Sequence, residues 1–174
     1  LSQTRFSQPA IFVCSIAALE VLRHHPKGKE FVPKFAAGLS LGEATALCAA
    51  GAISFDDGVW FVLARGRFMD EAAEERPGLM AAVLNLDLAV VEKVCEATGA
   101  EVGNLNAPGQ IVISGRKSAV EDAIEKLREA GARKVIPLDV SGAFHSSCME
   151  PACHRIEKAL KDVAIQKPTI PVVS

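Results

Sequence analysis

The sequence predicts an α/β protein in which an outer α/β part is interrupted by a smaller α+β lobe, and three observations carry that expectation. First, Gly38-Leu39-Ser40-Leu41-Gly42 stands between a short apolar run, Phe35-Ala36-Ala37, and a helix-forming one, Glu43 to Ala50. That is the order strand, tight turn, helix. Second, the stretch from residue 78 to 140 alternates short β-rich and longer helical patterns in the order β-α-β-β-α-β, the ferredoxin-like arrangement. Third, a loop of small residues from Ser141 leads back to a helix and a last strand. Residues 1–77 and 141–174 are therefore assigned to the outer part and 78–140 to the insert. At 174 residues the chain is long enough for such a core.

Taken in order, Pro9 to Leu22 repeats apolar side chains at Ile11, Cys14, Ala18 and Leu22 with helical spacing. Pro9 suits the first turn of that helix, where a missing N–H costs little. Polar residues from Arg23 to Lys29 lead into the strand before the serine turn. A second helix starts at Ser54, with Asp57 completing a capping-box pattern. Its stripe is Val59, Val62, Leu63, Gly66 and Met69; Arg65 and Arg67 ride on it, and it stops before Pro77-Gly78. Met80 to Leu84 reads as a strand, and Asp87 then caps a helix with Leu88, Val91 and Val94 on one face.

Val102 to Asn106 and Ile111 to Ser114 read as a strand pair joined through Pro108-Gly109. Pro-Gly suits a type II turn, in which glycine supplies the positive φ. Ser118 and Glu121 form another capping-box pattern ahead of Val120, Ala123, Ile124 and Leu127, with Gly131 as the stop. Val135 to Val140 closes the insert. Beyond Ser146 a helix has Pro151 in its first turn and Ile156, Leu160 and Val163 on its apolar face, and the last strand runs from Thr169. The chain opens at Leu1 and stops at Val172-Val173-Ser174, mid-strand by composition. An internal piece of a longer protein, truncated at both ends, is the expectation.

Composition works by exclusion. With 49% hydrophobic and 23% charged residues and a net charge of −2, the chain has no global basic character to attract nucleic acid. No apolar run of membrane-spanning length and no secretory leader are read in it, so a membrane is not an expected partner. The five cysteines (Cys14, Cys48, Cys95, Cys148, Cys153) are odd in number and scattered among apolar neighbours, as reduced, buried thiols would be. Cys148, Cys153 and His154 cluster, but no second Cys/His pair at finger spacing accompanies them. No metal is expected.

Gly-x-Ser-x-Gly between strand and helix is the pattern of a nucleophile elbow, a turn too tight for flanking side chains that lifts the hydroxyl above the sheet. It also sets Ser40 at a helix N-terminus, where the free Leu41 N–H and the helix dipole can stabilise an oxyanion. A serine hydroxyl needs a base. Of the four histidines, His24 and His25 sit in a charged stretch and His154 inside a helix, whereas His145 follows a strand in a small-residue loop, the usual place for a catalytic group. A loop histidine bonded only to backbone is the alternative. Arg65 reads either as an interhelical salt-bridge partner or as a fork-shaped clamp on a substrate carboxylate. Asn104 and Asn106 flank Leu105 with alternate-face spacing. They either bond the following turn or face a cleft as substrate contacts.

These residues carry a resemblance. Ser7-Gln8-Pro9-Ala10, Gly38-Leu39-Ser40-Leu41-Gly42-Glu43, Ala64-Arg65-Gly66-Arg67-Phe68-Met69, the run from Asn104 to Gly115, and Ser141-Gly142-Ala143-Phe144-His145-Ser146 stand in family order and spacing across essentially the whole chain. Together they resemble the malonyl-CoA:acyl carrier protein transacylases, acyltransferases of fatty acid and polyketide synthesis. The resemblance implies an α/β-hydrolase-like core with a ferredoxin-like insert. It also implies Ser40 as nucleophile, His145 as base, Leu41 as oxyanion donor and Arg65 as partner of the malonyl carboxylate. Malonyl-CoA and acyl carrier protein would be the partners, with no cofactor besides the coenzyme A thioester substrate. A monomer is expected, in bacterial cytoplasm or, in a eukaryote, in a plastid or mitochondrion. Leu39 stands where many members have histidine, which implies tuning of the site. Members also begin with a strand and a Gly-Gln-Gly oxyanion loop, and continue into a loop whose carbonyl orients the histidine; neither has a counterpart here. A serine hydrolase or thioesterase on the same elbow, or an inactive fragment, are the alternatives.

Overall fold

The structure, a computed structural model, describes residues 3–173. It is a mixed α/β fold whose Cα packing separates into two compact units, residues 3–67 with 155–173 and residues 68–154. The first unit opens with α1 (Thr4–His24), which starts five residues before the sequence periodicity indicates and carries Pro9 inside it. Its inward face is Gln8, Phe12 and Ile16, whereas Ile11, Cys14, Ala18 and Leu22 are exposed. The reason is local packing. Phe12 stacks on Phe55 at a centroid distance of 5.9 Å, and its ring fills the space a side chain at position 58 would need, 2.4 Å from a Cβ built on Gly58. At 21 residues α1 is also long and apolar enough to cross a membrane by length and composition, which corrects the expectation that no apolar run reaches that length.

A short 3-10 turn (Pro26–Glu30) leads to β1 (Ala36–Ala37), the serine turn and α2 (Leu41–Ala49). The long α3 (Phe55–Glu75) follows and passes from the first unit into the second at residue 67. Ser54 caps α3 as its sequence pattern indicates: its Oγ accepts from the Asp57 N–H at 3.0 Å and donates to Asp57 Oδ2 at 2.8 Å. Phe12, Ile16, Ala44 and Val62 form the core here, and Leu63, placed in the stripe of α3 by its spacing, is exposed.

In the second unit, β2 (Gly78–Leu84), α4 (Leu88–Thr98), β3 (Glu101–Ala107), β4 (Gln110–Arg116), α5 (Lys117–Glu129) and β5 (Lys134–Pro137) follow in turn. The strands form one antiparallel sheet in the order β3-β4-β2-β5. Pro108 and Gly109 alone join β3 to β4, and Gly109 has the positive φ (73°) that the turn requires. Val91 and Cys95 of α4 and Val120, Ala123, Ile124 and Leu127 of α5 pack with Ala81, Val83, Ile111, Ile113 and Val135 of the sheet.

Three boundaries differ from the sequence reading. α5 starts at Lys117 with Arg116 as its N-cap and no side-chain cap bond, so Ser118 lies inside the helix. β5 ends at Pro137, short of the Val140 that composition indicates, although the Leu138 N–H still bonds the Met80 carbonyl at 2.9 Å. The last strand, β6, is only Val172–Val173, because the Thr169 N–H and hydroxyl are already committed to the Ala50 carbonyl. α6 (Glu150–Leu160) passes from the second unit back to the first, where β6 pairs in parallel with β1, Ala36 opposite Val172.

Candidate active site

Ser40 is built into the turn that its sequence pattern specifies. The chain leaves β1, passes Gly38 and enters α2 with Ser40 at φ 56° and ψ −107° as the N-cap, a region sparsely populated by residues with a side chain. Gly38 is obligatory: a Cβ there would lie 1.9 Å from the Gly42 carbonyl oxygen. Gly42 is not crowded in the same way, since a Cβ on it meets nothing within 4 Å. The turn is held by the Gly42 N–H to the Leu39 carbonyl (2.9 Å) and the Glu43 N–H to the Ser40 carbonyl (3.2 Å). Leu41 is the first residue of α2, so its N–H belongs to the group that has no i−4 carbonyl partner within the helix.

Arg65 comes to the hydroxyl from α3. Its Nη2 donates to Ser40 Oγ at 3.0 Å and its Nη1 to Gln8 Oε1 at 2.5 Å. The guanidinium is half-buried. Burial pulls its pKa below the ordinary arginine value, and the nearby Glu43 carboxylate opposes that pull; it stays charged throughout the physiological range. A fixed cation beside a serine oxygen at a helix N-terminus favours negative charge developing there and offers a fork to a carboxylate attached nearby. The first unit thus brings Ser40, Leu41 and Arg65 together and adds Gln8. Gln8 is a site residue that sequence reasoning missed; its signal is a polar residue four and eight positions before Phe12 and Ile16, on the same helix face.

His145 lies in the second unit, exposed, with φ 59°. Its loop is tied down from both sides. The Ser141 hydroxyl bonds Asp70 Oδ1 (3.3 Å) and the Ser146 hydroxyl bonds the Ala143 carbonyl (2.7 Å). The Ser147 N–H and hydroxyl donate to the Glu101 carboxylate at 3.0 and 2.6 Å. Arg76 donates to the Ser147 carbonyl (3.0 Å) and to Glu150 (2.9 Å). β3 backs this loop at Gly103, where a Cβ would sit 3.6 Å from His145 Cβ. Asn104 is half-buried and Asn106 exposed. A register shift between Leu105 and Ala107 falls on Asn106, so strict strand alternation, the basis for putting both asparagines on one face, does not carry through it.

The other histidines have local roles. His24 Nδ1 bonds the Glu20 carbonyl (2.8 Å), His25 Nδ1 accepts from the Lys27 N–H (3.2 Å), and His154 Nδ1 bonds the Glu150 carbonyl (3.1 Å). All five cysteines are free thiols, but Cys14 and Cys153 are exposed, which corrects the expectation that all are buried. Among the described residues no three His, Cys, Asp or Glu side chains are grouped to hold a metal ion.

The acyl transferase domain model matches residues 1–174. The malonyl CoA-acyl carrier protein transacylase of Bacillus subtilis is 44% identical over 179 residues, covering all of this chain and 55% of that protein. The Escherichia coli K12 protein of the same name is 43% identical and is covered over 57% of its length. Among solved structures, the Streptococcus pneumoniae enzyme superposes with a TM-score of 0.91 at 44% identity, over 99% of this chain and 57% of that one. A malonyl-transacylase in complex with a type II polyketide synthase acyl-carrier protein superposes at 0.92 with 35% identity, over 99% of this chain and 56% of that one. The chain thus spans somewhat more than half the length of these relatives. With a serine turn, an arginine on its hydroxyl and a match running from end to end, the chain belongs to the acyl transferase domain family.

Proposed function

We propose that the chain carries the acyl-serine chemistry of malonyl transfer from malonyl-CoA to the phosphopantetheine thiol of acyl carrier protein. The observation that carries this reading is the Arg65 guanidinium, one nitrogen of which donates to Ser40 Oγ: a hydrolase of neutral esters has no use for a half-buried cation at that place. Ser40 attacks the thioester carbonyl and gives its proton to His145. The new oxyanion is met by the Leu41 N–H, and collapse expels coenzyme A as its thiol with the proton returned by His145. The carrier thiol then attacks the malonyl-serine ester by the reverse sequence, restoring Ser40. Arg65 pairs with the malonyl carboxylate throughout and selects malonyl over uncharged acyl groups. No cofactor takes part.

The fold belongs to the same proposal: an α/β-hydrolase-like core over 1–77 and 141–174 holds Ser40, and a ferredoxin-like insert over 78–140 carries Asn104 and Asn106 as substrate contacts. Carrier proteins are acidic, and Arg116, Lys117, Arg133 and Lys134 are all exposed on the insert, with Lys117 only loosely paired to Glu121 at 3.9 Å. They form the docking surface in this reading. Charge reversal at Arg133 and Lys134 lowers carrier transfer and leaves malonyl loading from coenzyme A intact; equal rates with carrier would remove the assignment.

The test is intact mass with peptide mapping after brief exposure to malonyl-CoA, with Ser40→Ala as control. A malonyl adduct on Ser40 that added carrier protein discharges is the expected result. Free malonate without transfer would make the protein a hydrolase, and an adduct that persists in Ser40→Ala would place the nucleophile elsewhere.

A further inference from the structure

Gln8 is a buried amide on an otherwise apolar helix face, 4% exposed, in line with Phe12 and Ile16. Burying an amide is unfavourable unless its hydrogen-bonding groups are matched, and here they are. Its Oε1 accepts from Arg65 Nη1 and its Nε2 donates to Thr4 Oγ1 at 2.8 Å. The amide can sit only this way round, because a guanidinium only donates whereas a threonine hydroxyl can accept. The helix crossing sets the approach. A Cβ on Gly66, the residue after Arg65, would lie 2.9 Å from Arg5 Cα and 3.1 Å from the Thr4 carbonyl oxygen. The start of α1 therefore rests on bare backbone of α3, and Thr4 and Gln8 come level with Arg65.

Resting on the proposed malonyl chemistry, the geometry points to Gln8 as the positioning residue that sets acyl selectivity, by fixing the Arg65 guanidinium with a neutral acceptor so that its charge remains for the substrate's carboxylate. The choice of an amide over a carboxylate is what matters. A carboxylate at position 8 would orient the guanidinium equally well, but it would replace the single bond to a neutral oxygen by a fork-matched ion pair with full charge–charge attraction. It would then compete with the malonyl carboxylate for the same cation. Glu43 is already close enough to be felt by Arg65, and a second internal anion would leave little net charge to recruit a third. An apolar residue at position 8 would avoid the competition but free one edge of the guanidinium.

The experiment compares Gln8→Glu, Gln8→Leu and Arg65→Ala for Ser40 loading from malonyl-CoA and acetyl-CoA, with kcat and KM taken separately and circular dichroism confirming folding. Gln8→Glu is expected to lower the malonyl-to-acetyl ratio of kcat/KM about tenfold or more, through malonyl KM, with the acetyl values retained. Gln8→Leu lowers the same ratio severalfold, and carries the test if the glutamate variant does not fold. Should both Gln8 variants keep the wild-type ratio, or lose malonyl and acetyl loading in equal proportion, Gln8 is structural and the inference fails. Should Arg65→Ala itself keep the ratio, the failure lies in the carboxylate reading of Arg65.

Discussion

The two units place their apolar residues differently. In the second, seven-residue strands β2, β3 and β4 and two helices enclose a continuous core from Ala81 to Val135. In the first, β1 and β6 are two residues each, the buried cluster is Phe12, Ile16, Ala44 and Val62, and Phe31, Val32, Phe35 and Leu39 around the serine turn are exposed. Both units hold non-glycine residues at positive φ, Ser40 in the first and Asn85 and His145 in the second. The order of the first unit depends on pairing Ala36 with Val172, whereas the second unit is built from contacts within one continuous stretch. Stability thus resides where connections are short, and the serine site sits where the contacts that offset the strain of its turn come from far along the chain.

The largest expected effect sharpens that contrast. Ser40→Ala lowers acyl transfer by on the order of 10⁴-fold or more with little change in melting temperature, since alanine keeps the strained backbone. Ser40→Gly is equally inactive but melts higher, by about 2–4 °C, because glycine accepts the positive φ and releases roughly 1 kcal/mol of strain. Calorimetry of the two variants side by side checks this; equal melting temperatures would mean that the turn stores no strain.

Core truncation comes next. Leu127 is fully buried in the second unit, and Leu127→Ala costs about 2–5 kcal/mol in urea unfolding. Phe31→Ser, at a 51% exposed side chain of the first unit, stays within about 0.5 kcal/mol of wild type. A comparable loss at Phe31 would break the comparison.

Smaller, and sharper for the turn itself, is the glycine pair. Gly38→Ala drives a methyl into the Gly42 carbonyl, an overlap that no rotamer change relieves, and costs roughly 1–3 kcal/mol together with most of the activity. Gly42→Ala, in the first turn of α2 with open space around it, is neutral or stabilising by about 0.5–1 kcal/mol. The two elbow glycines look alike in sequence, and thermal melts with loading rates separate them.

That pair also shows what the sequence could convey. Local patterns were legible: the insert's strand and helix order, the Pro108-Gly109 turn, the Ser54 cap and the serine turn all depend on residues within a few positions of one another. What was hidden depends on partners far away. The helix α1 was legible, but the stripe its spacing indicates is exposed, and the buried face was chosen by the Phe12 ring meeting Gly58, which spacing cannot show. Arg65 reads from spacing as salt-bridge partner or clamp, and its bonds to Ser40 and Gln8 join residues 25 and 57 positions away. Asn104 and Asn106 looked equivalent because a register shift leaves no mark in composition.

The least of the expected effects concerns Cys95, which lies in the core of the second unit. Burial first, then the Glu101 and Glu92 carboxylates, push its thiol from the ordinary 9.0 up to about 11. Between those values the unfolded chain has released the proton that the native chain still holds. Unfolding is then coupled to proton release, and stability falls as pH rises. The contribution is complete below pH 9.0 and is lost through about pH 11. Cys95→Ala, which cannot titrate, has a constant packing deficit in place of this slope. Urea midpoints should therefore show wild type ahead of the variant at about pH 8, with the gap narrowing by about pH 10.5. Iodoacetamide in the same pH range labels exposed Cys14 and Cys153 long before Cys95, because Cys95 reacts only when its core opens. A gap that stays constant with pH, or early labelling of Cys95, would show that the second unit is no better sealed than the first.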